Sequence, residues 1–201
     1  MSCTIGSREQ IWQDRIDEGM KEQGREIVAS FPEAHSDSLV EHAAAIHAYV
    51  YQKIESENRD FASGDPRPMR MPRETWKLKK GNCQEISILI ASLLKSAWGL
   101  EVRTLGLDHP EKSVGHRILE IGIPYHPEDV SEVLEAFYNR SLHTDNFPGY
   151  CMYSEGDNRA WFVADRNREC IGDISFLEKG GYIEDYGNGY EWCDIGDCYS
   201  I

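Results

Sequence analysis

Gly81-Asn82-Cys83-Gln84-Glu85 stands where a polar loop turns into an apolar helical stripe. Asn82 has the chemistry of an N-cap, and Glu85 three residues later completes a capping box, which predicts Cys83 in the first helical turn. The amide N–H groups of such a turn lack intrahelical acceptors, and the positive end of the helix dipole lies there, so the position favours an anion. Thiols so placed have pKa values lowered from about 8.5 into the range of roughly 3.5 to 7.5. Cys83 is therefore the expected nucleophile.

A thiolate that attacks a carbonyl needs a base to hold the proton and a third group to fix the base. The chain offers these in order. His116 opens a strand after Gly115, and Asp165 ends the apolar strand Trp161-Phe162-Val163-Ala164. A His and an Asp at the same end of neighbouring strands can face a cysteine at a helix N-terminus. His109, in the turn-like Asp108-His109-Pro110-Glu111, is the rival base, and Asp173, within or just before a strand, is the rival third member. Cys170 follows a charged run without a cap and reads as structural. His47 lies within an apolar stripe and His42 at its edge, so both read as satisfied structural histidines.

The elements that must position these groups follow from periodicity. Ile11, Trp12, Ile16, Met20, Ile27 and Val28 predict a helix from Ser7 to about Phe31, closed by Pro32. A second helix is expected from Ser36, as cap, to about Ser56. Residues 60–73 read as an irregular connection leading through Glu74-Thr75-Trp76 to Cys83. In the Cys83 helix, Ile86, Leu89, Ile90, Leu93, Leu94 and Ala97 make a wide apolar face, and Gly99 ends it. Strands are expected at 101–107, 116–123, 161–165 and 170–176, with a helix at 130–142. Helices first and antiparallel strands after them predict an α+β domain with the Cys83 helix packed on a sheet. The expected division is an N-terminal helical extension over 1–35, the main domain over 36–180 and an acidic tail over 181–201.

The chain has 201 residues, 40% of them hydrophobic, and a net charge of −14. That length suffices for one full core. The dispersed acidity lacks the basic footprint of a nucleic-acid binder. With only eight Lys among the 21 basic residues, it suits a halophilic protein kept soluble in high salt. No apolar run is long enough to span a membrane and Met1 to Arg8 has no signal pattern, so a cytoplasmic protein is expected. Six cysteines without CxxC pairs or even spacing predict reduced thiols. Cys193 and Cys198 could bridge or share a metal, but no matching ligand pair has the right spacing, so neither metal nor cofactor is expected.

Glu74-Thr75-Trp76, the Gly-x-Cys turn with its apolar helix, Gly115-His116 on the next strand pair and Trp161-Phe162-Val163-Ala164-Asp165 together resemble the transglutaminase-like superfamily. The resemblance covers about 36–176, with Ile46-His47-Ala48-Tyr49-Val50 similar to the usual upstream helix. It implies a papain-like α+β fold with Cys83 as nucleophile, His116 as base then acid, and Asp165 as orienter. It also implies an oxyanion hole formed by the Cys83 N–H and the indole N–H of Trp76, for which a core aromatic is the alternative role. The chain departs from the family pattern in having Asn82 where Asp is familiar, in the Arg117-Ile118-Leu119 that follows His116, and in a segment inserted over 124–159. The implied activity is acyl transfer or hydrolysis at amide bonds of a protein or peptide substrate, with peptide-glycan amide cleavage open to the same triad. The alternative is a catalytically silent member of the fold that binds a peptide or protein.

Overall fold

The apolar face of the Cys83 helix organises the molecule, as its sequence predicts. In the computed structural model, which describes residues 15–57, 69–108, 115–143, 151–154 and 158–173, this helix (α4) runs Cys83–Trp98. Ile86, Leu89, Ile90, Leu93 and Leu94 are all buried. Gly99 ends the helix at φ 67°, a left-handed position that glycine adopts without a Cβ penalty.

Three shorter helices precede or flank it. Helix α1 is Lys21–Ala29, α2 is Leu39–Lys53 and α3 is Pro72–Leu78. Ala43, Ala44, Ala45 and Ala48 of α2 are buried in the common core, as are Met20 and Ile27. A Cβ on Gly24 would lie 3.0 Å from the Leu93 carbonyl oxygen, so glycine there lets α1 lie close against α4.

Two short strands, β1 (Glu55–Ser56) and β2 (Lys80–Gly81), pair in parallel immediately before α4. After it come β3 (Glu101–Asp108), β4 (Gly115–Ile123), α5 (Pro127–Leu142), β5 (Cys151–Ser154) and β6 (Arg159–Ala164). These four later strands form one antiparallel sheet in the order β3-β4-β6-β5. Leu119, Ile121 and Ile123 of β4, with their partners Ala164, Phe162 and Ala160 of β6, belong to the helical core. Phe137 and Tyr138 of α5 complete it. The α+β arrangement of helices against an antiparallel sheet is the expected one.

Four local expectations are corrected. Residues 7–14 of the long first helix lie outside the described residues. From residue 15 onward helix begins only with a 3-10 turn at Glu18–Met20. Asp17 breaks it, accepting the Gly19 N–H at 2.8 Å on its side chain and donating its own N–H to Ser92 Oγ at 3.0 Å. The second helix is capped by Ser38, not Ser36, through the Glu41 N–H. The Glu74-Thr75-Trp76 approach is itself a helix, started by Pro72 at a position where the missing N–H costs nothing. Residues 170–173 are turn rather than strand, fixed by the Gly172 N–H on the Val163 carbonyl at 2.7 Å, and 174–176 lie outside the described residues. Strand β5 carried too short a pattern to be read from sequence.

Candidate active site

Cys83 is the first residue of α4 and is half-buried. The turn that presents it is held by a reciprocal pair. Asn82 Oδ1 accepts the Glu85 N–H at 2.9 Å, and Glu85 Oε2 accepts the Asn82 N–H at 3.1 Å. Both donors would otherwise lie among the unsatisfied groups of a helix start. The capping box was legible in the sequence.

Glu85 has a second task that was not legible. It is 1% exposed, and a buried carboxylate must be paired and hydrogen-bonded to be tolerated. Arg70 supplies both. Its N–H donates to Glu85 Oε1 at 2.8 Å, while its guanidinium lies 3.7 Å from Glu85 Oε2 and 2.6 Å from Glu57 Oε2. Arg70 also donates to the Lys80 carbonyl at 3.2 Å, and the Glu57 N–H donates to the Gly81 carbonyl at 2.8 Å. The chain on both sides of the cysteine turn is thereby tied to Glu85. Gly81 sits in a crowded place, where a Cβ would lie 3.0 Å from Thr75 Cγ2 and 3.1 Å from Glu85 Cβ.

Ser87, one turn beyond Cys83, donates to the Arg117 carbonyl at 3.3 Å. This bond draws the start of β4, and with it the backbone of His116, to the first turns of α4. His116 itself pairs with Leu107 across the β3–β4 ladder. Asp165 directly follows β6. The β4–β6 ladder ends at Leu119↔Ala164, three residues along β4 from His116.

Asp165 is buried, with hydrogen bonds to both its carboxylate and its carbonyl. Its Oδ1 accepts the Asn167 N–H at 2.9 Å. Its carbonyl accepts the Arg168 N–H at 3.0 Å and the Nε2–H of His47 at 2.9 Å. His47 is fully buried, and that desolvation pushes its pKa below the ordinary value, against the opposing pull of the Asp165 carbonyl and of the Asp165 and Asp173 charges. The ring is thus neutral. His47 is a satisfied histidine as expected, but its partner was invisible in the sequence.

Trp76, on α3, is half-buried and stacks on Tyr49 with centroids 5.4 Å apart. The Lys79 ammonium lies 3.0 Å from the indole centroid and donates to Tyr49 Oη at 3.2 Å. Its ring therefore has a packing and cation–π role whatever its N–H does.

Cys170 is buried, and desolvation, with the charges of Glu169 and Asp173, pushes its thiol up to about 12, which leaves it protonated. Asp173 closes the turn after Gly172 and is half-buried. His109, Cys3, Cys193 and Cys198 lie outside the described residues. Among the described residues no group of three or more His, Cys, Asp or Glu could hold a metal ion, and no helix is long and apolar enough to cross a membrane.

No curated protein matches the chain, and no solved structure does. The family model of the transglutaminase-like superfamily matches residues 25–165. The match begins within α1, takes in the Cys83 turn, α4 and the β4 strand, and ends on Asp165. It spans well over half of the sequence, and the chain belongs to the transglutaminase-like superfamily.

Proposed function

We propose that this protein is a cysteine-dependent acyltransferase or hydrolase acting at amide bonds of peptides or proteins, with Cys83 as nucleophile, His116 as base and acid, and Asp165 as orienter. The observation that carries the reading is Cys83 at the first position of a helix whose capping box is locked by a buried glutamate. Family membership and the approach of the β4 backbone to Ser87 support it.

In this mechanism His116 takes the thiol proton, and the Cys83 sulfur attacks the carbonyl carbon of the substrate amide. The carbonyl electron pair moves to oxygen. That oxyanion is stabilised by the Cys83 backbone N–H at the helix start, with the Trp76 indole N–H as second donor. Collapse expels the amine, which takes the proton from His116, and leaves a thioester on Cys83. Water, or a second amine, attacks the thioester with His116 again as base, and the thiol is restored. Water is the default acceptor.

The test is trapping of the thioester. Incubation with a set of peptide amides and quenching in acid should add an acyl mass to the Cys83 peptide. C83A should abolish the adduct and leave the melting temperature nearly unchanged, because the thiol lies at a helix start. Absence of any adduct, together with Cys83 alkylation that is slow and indifferent to H116A, would overturn the enzyme reading and leave a peptide-binding module.

A further inference from the structure

Asp165 is held from the far side of the core by residues that no part of the chemistry requires. His47 of α2 and Asp165 are 118 residues apart in sequence, yet the His47 Nε2–H meets the Asp165 carbonyl at 2.9 Å. A carbonyl can only accept, so Nε2 carries the proton and Nδ1 is bare. Nδ1 faces the Tyr138 hydroxyl of α5 at 3.5 Å, and that hydroxyl accepts the Ile171 N–H at 3.0 Å. His47 and Tyr138 are both fully buried.

The chain of contacts therefore runs α2, end of β6, α5 and the following turn. The Asp165 carbonyl has the Arg168 N–H as a second donor. Arg166, next along, donates its Nε to the Ile54 carbonyl at the end of α2 at 2.9 Å. With its carbonyl fixed by two donors and the next residue pinned, the Asp165 backbone cannot rotate without breaking buried hydrogen bonds.

We infer that His47, seated on Tyr138, is a positioning residue for Asp165: it holds the Asp165 peptide plane so that the carboxylate keeps a fixed aim toward the His116 position. The inference rests on the proposed Cys83–His116–Asp165 chemistry. His47 touches neither substrate nor reacting atoms. It acts through Asp165, and a merely structural histidine would have no such dependence.

The experiment reads the pH profile of iodoacetamide alkylation at Cys83 in the full chain, by peptide mass mapping. Wild-type protein should show a reactive limb well below the midpoint of an ordinary thiol, and H116A should remove it. If it shows no such limb, the enzyme reading itself fails. With the limb present, H47L should weaken reactivity at acidic pH by about tenfold, the lower end of the loss seen when hydrogen-bond partners behind metal ligands are removed. H47Q, which keeps a donor near Nε2, should recover most of it. In a D165N background H47L should have no further effect. An H47L profile equal to wild type, or an equal loss in both backgrounds, overturns the inference while leaving the enzyme reading intact.

If H47L does not fold, the unmutated protein decides. Its His47 nitrogen shifts must show a protonated Nε2 and a bare Nδ1 at pH 7, and the reverse tautomer would overturn the inference.

Discussion

Asn82 and Glu85 satisfy each other's backbone N–H groups, at 2.9 Å and 3.1 Å, across the turn that carries Cys83 between them. The same Glu85 carboxylate binds Arg70. N82A should cost about 1 kcal/mol, the usual loss of an N-cap. E85A should cost more, about 3 kcal/mol, since it removes the acceptor of both the Asn82 and Arg70 N–H groups and one of the two carboxylates beside a mostly buried guanidinium. Urea unfolding of both variants would check the order, and equal losses would mean that the Arg70 contact adds nothing.

Gly81 owes its identity to space rather than to backbone conformation. G81A brings a methyl group to about 3.0 Å from Thr75 and 3.1 Å from Glu85, and overpacking of this kind costs about 1 to 3 kcal/mol. Where the Glu85 side chain gives way, the alkylation rate of Cys83 should fall with stability. A loss of stability without any change at Cys83 would mean that Thr75 yields instead.

The two described cysteines whose side chains are placed should differ in reactivity. Burial and neighbouring carboxylates hold the Cys170 thiol near 12. In the folded protein at pH 8 to 9, iodoacetamide should label Cys83 and leave Cys170 untouched until denaturant is added. Labelling of Cys170 in the native state at a comparable rate would contradict its burial.

Stability should fall in mild acid. The folded pKa of His47 lies below its ordinary value of 6.5 because burial disfavours the charged ring. As pH falls below 6.5 the unfolded chain takes up a proton that the folded state resists, so the unfolded state gains until the folded value is passed. His42 is lowered in the same direction, also mainly by burial. Glu120 acts oppositely, for burial raises it above 4.5 despite Arg103, so its penalty is relieved as pH falls. Comparing wild type with H47Q isolates one group: the variant's stability should decline less steeply below pH 6.5. Parallel slopes would mean that His47 does not titrate differently on unfolding.

The amino-acid sequence determined what depends on near neighbours in the chain. Asn82, Glu85 and Gly99 fix both ends of α4 through contacts within a few residues, and its apolar stripe follows from helical period alone. The ends of β4 were readable for the same reason, with Pro124 stopping it after Ile123. Those local signals were enough to single out Cys83, and with the ordered His116 and Asp165 to suggest the family. The first helix shows where the local reading fails, because the Asp17 N–H is taken by Ser92, 75 residues away. Only the tertiary structure decided that Glu57 and Glu85 gather on Arg70, that a four-residue edge strand completes the sheet, and that His47 meets Asp165. Such pairings leave no periodic trace: they arise when the helices and the sheet close on one core, and buried polar groups must then find partners wherever packing has brought them.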